Sequence, residues 1–162
     1  MPSDAATTDG ILERAGGGSR LRFERRLDHP PEAVWSALTE PERLAEWLGR
    51  ATLRAERGGS LQLRWDETGA VMHGTVTAVE EPSRFAYSGD PHGDVRFELA
   101  PDDGGCRLVL VNDLPSTIRP EAGLASWHLH LDALAASLEG RPEPWNRERW
   151  EELRRRYAGD AA

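Results

Sequence analysis

Between residues 51 and 114 the chain repeats one signature: apolar side chains at every second position, then a turn. "SLQLRW" sets Leu61, Leu63 and Trp65 against Gln62 and Arg64, and "DVRFELA" alternates Val95, Phe97 and Leu99. "ATLRAER", "AVMHGTVTAVE", "RFAYSGD" and "GCRLVLVNDL" complete the series, broken by Gly58-Gly59, by Pro82 and by "PDDGG". Turn signals every ~10–12 residues predict an antiparallel meander with one apolar face. Such a face must be covered. The cover is the segment 120–139, which returns to the helical period from "RPEAG" and stops at Gly140 and Pro142.

Ahead of the meander, "GILERAGGGSRLRFERRLDH" predicts a short strand, a Gly-rich turn and a longer strand with Leu21, Phe23 and Leu27 alternating. "PPEAVWSAL" then changes period, with Pro31 and Glu32 suited to a first helical turn, predicting a helix over 31–37. In "TEPERLAEWLG", Thr39 and Glu42 have the spacing of a capping box for a second helix over 41–48, which Gly49 ends. A last charged helix in "PWNRERWEELRRRYAG" puts Trp150, Leu153 and Tyr157 on one side and is expected to dock on the domain. With 162 residues the chain reads as a polar, disordered tail (1–9), one α+β domain (10–140) and a helical extension (141–162).

On the long helix, about 100° per residue places Leu124, Trp127, Leu134, Ala135 and Leu138 within about 60° of Leu131. His128 falls at one edge of that stripe, and His130 lies on the opposite flank. Histidines at i and i+2 project about 200° apart and cannot share an ion, since helical metal pairs use i, i+3 or i, i+4. No metal or cofactor site is expected. His128 remains either a polar handle for a ligand or a histidine satisfied by its own surroundings. His73 sits in a strand whose inward face the pattern leaves open, and His92 in "DPHGD" reads as a turn residue.

A formal net charge of −8 argues against nucleic acid and anionic membrane surfaces as partners. Cys106, the single cysteine, permits neither an internal disulfide nor a cysteine-based zinc site and suits a reducing cytoplasm. The N-terminus lacks the basic and apolar regions of a signal peptide, and no apolar run approaches the ~20 residues of a membrane span. No paired carboxylates, nucleophile elbow, phosphate loop or Cys–His arrangement is present, so no catalytic residue is assigned.

Several of these stretches occur together, in order, in a known family. "FERRLDHPPEAVWSALTEPERLAEWL", "RGGSLQLRW", "HGTVTAVEEPSRFAYS", "GCRLVLVNDL" and "SWHLHLDALAASLEG" resemble the Hsp90-ATPase-activator-homologue-like family of the START/Bet v 1-like superfamily, over about residues 18–140. The resemblance implies a helix-grip fold: a curved antiparallel sheet around the long C-terminal helix, with a cavity between them and the short helices closing one end. Gly58, Gly59 and Gly74 are then places for the sheet to bend or pack closely. That superfamily spans lipid carriers, hormone receptors, polyketide cyclases and co-chaperones, so the fold alone does not fix the activity.

The expectation is a hydrophobic cavity for an apolar or aromatic small molecule, lipids included. Its walls would come from Leu63, Trp65, Phe85, Tyr87 and Phe97 on the sheet and from Leu124, Trp127, His128 and Leu131 on the helix. Trp35 and Trp47 would shape the mouth or the closed end. One alternative is a cyclase- or aromatase-like enzyme with His128 or Tyr87 as acid or base. The other is a co-chaperone-like or other protein-interaction module; a homodimer or an unknown protein partner is open in either case.

Overall fold

The computed structural model describes residues 9–15, 17–90 and 92–161. Residues 1–8 of the expected tail lie outside the described residues. Eight strands form one antiparallel sheet in the order β1-β2-β8-β7-β6-β5-β4-β3. They are β1 (Ile11–Ala15), β2 (Gly18–Leu27), β3 (Arg50–Leu53), β4 (Ser60–Trp65), β5 (Ala70–Glu80), β6 (Arg84–Asp90), β7 (Gly93–Asp102) and β8 (Gly105–Leu114). From β3 to β8 every strand pairs with the next in sequence, as the turn-punctuated alternation requires.

The one long jump is from β2 to β3, from one side of the sheet to its far edge. Helices α1 (Pro31–Thr39) and α2 (Pro41–Trp47) make that crossing. α3 (Pro120–Leu138) then lies along the inner face of the curved sheet, and α4 (Arg147–Ala161) packs against α3. The architecture is the helix-grip α+β fold. No helix among the described residues is long and apolar enough to cross a membrane.

Register explains the inner face. Phe23, Leu110, Phe97 and Phe85 pair across β2, β8, β7 and β6 in one row, and each is at most 2% exposed. Leu63 pairs with Met72, both about 1% exposed, on the β4–β5 side. β5 therefore points Met72 and Val76 inward and leaves His73 in solvent, which removes His73 from any interior site. Gly74 lies where a Cβ would press on the Ser88 carbonyl of β6, so the close approach of these strands needs glycine there.

Two details differ from the sequence pattern. Thr39 and Glu42 form no capping box: the Thr39 hydroxyl donates to the Trp35 carbonyl inside α1 (2.9 Å), and α2 starts from Glu40 without a side-chain cap. Pro41 at its first position needs no cap for a missing N–H and sets φ for the turn. Arg25, in register with Leu21, Phe23 and Leu27, occupies an inward position of β2 and is satisfied there by Asp132 of α3 (2.9 Å).

Candidate functional site

The interior between sheet and helix is occupied by its own side chains. Phe97, Leu63 and Leu131 are each about 1% exposed, Phe85 and Leu124 2%, and Trp35 6%. Trp35 stands edge-on to Phe85 (6.1 Å between ring centres), and Phe85 leans on Tyr87 (6.0 Å). Burial alone drives the Tyr87 phenol above its usual pKa, and its hydroxyl has no hydrogen-bond partner among the described residues. A hydroxyl that hard to ionise, with no base beside it, is not prepared for proton transfer near neutrality.

His128 is already engaged. The Gly10 N–H donates to the Tyr157 hydroxyl (2.9 Å), and that hydroxyl is hydrogen-bonded to His128 Nδ1 (2.8 Å). Asp132, one turn along α3, lies 3.6 Å from His128 Nε2 and is itself held by Arg25. The order carboxylate, imidazole, hydroxyl looks like a relay, yet burial lowers the His128 pKa and raises that of Tyr157. Both stay neutral at pH 7, and the buried Tyr157 hydroxyl is taken up by Gly10 and His128. The cluster ties β2, α3, α4 and the N-terminal segment together.

His130 is different. It is 8% exposed, and its Nδ1 lies 3.0 Å from the Trp47 backbone carbonyl. A carbonyl only accepts, so Nδ1 carries the proton. Burial, opposed by that hydrogen bond and helped by nearby His92, pulls the His130 pKa down to about 4. At neutral pH the ring is uncharged and its Nε2 is a lone-pair acceptor, without a partner among the described residues.

That ring belongs to the wall of a groove of about 310 Å³ between α3, the end of α2 and the β3–β4 rim of the sheet. The end of α2 and the β3–β4 rim supply Trp47, Arg50 and Trp65; α3 supplies Leu129, His130 and Ala133; the α3–α4 connection supplies Glu143, Pro144 and Trp145. The indole N–H groups of Trp47 and Trp65 point away, to the carbonyls of Ala37 (2.8 Å) and Leu48 (2.7 Å). Rings rather than donors are thus offered to the groove. Trp145 lies over His130 at 5.4 Å with a 38° tilt.

Behind the groove the aromatic contacts continue inward. Trp47 meets Phe97 (6.2 Å), Phe97 meets Trp127 (5.9 Å) and Trp127 meets His130 (5.8 Å), all edge to face. Asn112, 2% exposed, fixes Trp127 by accepting its indole N–H (2.9 Å) while donating to the carbonyls of His92 and Asp94. Of the eleven residues expected at a ligand, Trp47 and Trp65 line the groove and Phe97 and Trp127 support it from behind. Trp35, Leu63, Phe85, Tyr87, Leu124 and Leu131 face the interior, and His128 faces α4.

A second groove, about 450 Å³, opens on the other side of the α3–α4 connection beside Arg26, His29, Glu139 and Arg141. It is larger, but several of its charged groups satisfy one another: His29 meets Glu139 (3.1 Å) and Arg26 meets Asp28. The first groove, with its unpaired imidazole nitrogen, is the better candidate. All twenty cationic side chains of the protein are arginines, so no lysine amine is present for Schiff-base chemistry.

Comparison with known proteins gives a consistent outcome. A family model described as Activator of Hsp90 ATPase homolog 1-like protein matches residues 28–139. No curated protein matches the chain. Among solved structures, the conserved protein EF2215 from Enterococcus faecalis superposes with a TM-score of 0.79 at 17% identity, covering 99% of this chain and 93% of that one. The protein encoded by BPP1335 from Bordetella parapertussis gives a TM-score of 0.70 at 28% identity, over 93% of this chain and 90% of its own. DynU16, a protein in the dynemicin biosynthetic locus, gives 0.68 at 25% identity, over 78% of this chain and 49% of its own. Trp145 and α4 lie beyond the matched family segment, whereas Trp47, Trp65 and His130 lie within it.

Proposed function

This chain belongs to the Activator of Hsp90 ATPase homolog 1-like family, and from that premise we propose that it binds a small organic molecule in the groove between Trp47, Trp65, His130 and Trp145. One observation carries the reading: a histidine more than nine-tenths buried has one nitrogen bonded to a carbonyl and the other unpaired at the groove wall. That nitrogen is left to accept a hydrogen bond from a ligand donor. The volume of about 310 Å³ falls at the lower end of the range for small-molecule sites. Indole faces supply apolar area with little side-chain entropy to lose. A fold relative from a biosynthetic locus is in keeping with a protein that handles organic molecules.

No reaction is part of this proposal. Neither Tyr87 nor the Tyr157–His128–Asp132 cluster has a group with an activated proton, and the groove holds no nucleophile beside a base. The interior residues act as the wall that holds Trp47 and His130 in place.

The test is a ligand screen read by tryptophan fluorescence, because three of the six tryptophans line the groove. Hits should lose affinity in Trp145→Ala, whose half-exposed ring can be removed without opening the core. Hits that bind Trp145→Ala as well as wild type, but lose affinity in Phe85→Leu, would move the site to the interior and overturn the proposal.

A further inference from the structure

The groups left unpaired at this groove are mostly acceptors and π faces, and most of its charges are paired. Asp66 is paired with Arg50 (3.0 Å), Asp132 with Arg25 (2.9 Å), and Arg149 with Glu152 (2.9 Å). Glu46 accepts from the Ser137 hydroxyl (2.6 Å) and lies 3.9 Å from Arg43. Two lining carboxylates, Glu67 and Glu143, have no ion-pair or hydrogen-bond partner among the described residues. Glu143 stands two residues from Trp145 on the same extended connection.

Against these stand three lining donors without a hydrogen-bond or ion-pair partner among the described residues: the Arg64 guanidinium, the Asn146 side-chain amide N–H and the Trp145 indole N–H. Arg64 is exposed and in register with the groove-lining Arg50, so the lining sets five carboxylates (Glu46, Asp66, Glu67, Asp132 and Glu143) against three guanidiniums (Arg50, Arg64 and Arg149). The single indole N–H is uncharged. The balance facing a ligand is acidic: the His130 Nε2 lone pair, three indole rings and two unpaired carboxylates, against one unpaired guanidinium and two neutral N–H donors.

We infer that the groove selects an organic cation, an amine or ammonium compound with an apolar body, seated against Trp145 and Trp65 with its charged head toward Glu143 and the His130 lone pair. This rests on the groove reading above and adds the chemical class of the ligand. The physics is the attraction of a cation to the faces of indole rings, strengthened where water is partly excluded, together with charge-assisted hydrogen bonds to carboxylate and imidazole. An anion meets the same lone pair, π faces and carboxylates as repulsion. The half-exposed Trp145 on a connection without regular structure can tilt to admit the apolar body, whereas Trp47 and Trp65 are held by their N–H bonds.

Three probes of one size decide the question: 2-phenylethylammonium, 2-phenylethanol and 3-phenylpropanoate, titrated into the full chain by saturation-transfer NMR and tryptophan fluorescence. The ammonium should bind on the order of tenfold more tightly than the alcohol, with the carboxylate weakest. Glu143→Gln, at an exposed position that cannot disturb folding, should reduce the ammonium's advantage over the alcohol by about 2–5-fold and leave alcohol binding unchanged. Equal binding of all three probes, each weakened by Trp145→Leu, would overturn the cation preference and leave the groove standing. An ammonium affinity unchanged in both Glu143→Gln and Trp145→Leu would overturn the cation inference together with the location of the site.

Discussion

Replacing His130 by glutamine should remove a defined part of the protein's acid sensitivity. The folded imidazole titrates at about 4, against 6.5 for the unperturbed group. The unfolded chain thus takes up a proton at a pH where the folded chain refuses it. Stability linked to His130 is fully present above pH 6.5 and is lost as pH falls toward 4. At about 1.36 kcal/mol for each pH unit separating the folded and unfolded titrations, the full loss is roughly 3 kcal/mol, and roughly 2 kcal/mol of it falls between pH 7.5 and pH 5. The other four histidines are present in both proteins, so their contribution cancels in the comparison. Urea unfolding of wild type and His130→Gln at pH 7.5 and 5.0 supplies four free energies. The wild type should lose about 2 kcal/mol more than the variant on acidification. Parallel losses would show that His130 is not a buried neutral ring, and the acceptor at the groove wall would go with it.

Three further substitutions test the packing that positions the site. Tyr157→Phe removes the acceptor of the Gly10 N–H and the hydroxyl bonded to His128, and should cost about 1–3 kcal/mol in urea unfolding; no loss would mean that this buried chain of bonds is not formed. Leu153→Ala deletes a side chain with 0% exposure where α4 meets the domain and should cost about 2–5 kcal/mol, whereas a change under about 0.5 kcal/mol would show α4 undocked. Gly93→Ala combines φ of +81° with a Cβ driven into the Asp113 carbonyl oxygen, so its thermal midpoint should drop by several degrees; an unchanged midpoint would contradict the tight β6–β7 turn.

Much of the framework was legible because it rests on local periodicity. Alternation in "SLQLRW" and "DVRFELA" placed Leu63, Trp65 and Phe97 correctly on the inner face, and the 3.6-residue period put Trp127, Leu131 and Leu134 on one buried stripe. The divergence of His128 and His130 followed from the same geometry: one meets α4 and the other α2. What the pattern could not carry was partnership between distant segments. His130 matters because the Trp47 carbonyl, 83 residues earlier, fixes its tautomer. Trp145 sits in the Pro-flanked "PEPWN", where no period says which way a side chain points. Arg25 broke the apolar alternation of β2 and could be placed only once Asp132 was seen opposite. Asn112, a polar residue in register with Val95 and Leu21 on the inner face, was the one signal available earlier: a buried amide implies fixed partners, here Trp127 and the 92–94 turn.

The most direct measurement is a ¹⁵N-resolved NMR titration of the six indole N–H signals and the imidazole nitrogens with 2-phenylethylammonium. Saturable shifts should concentrate at Trp145 and Trp65 and at His130 Nε2, with Trp35 and the His128 ring unmoved. Shifts centred on Trp35 and the Tyr87 side of the sheet, with Trp145 and His130 silent, would place the ligand inside the grip and contradict the groove.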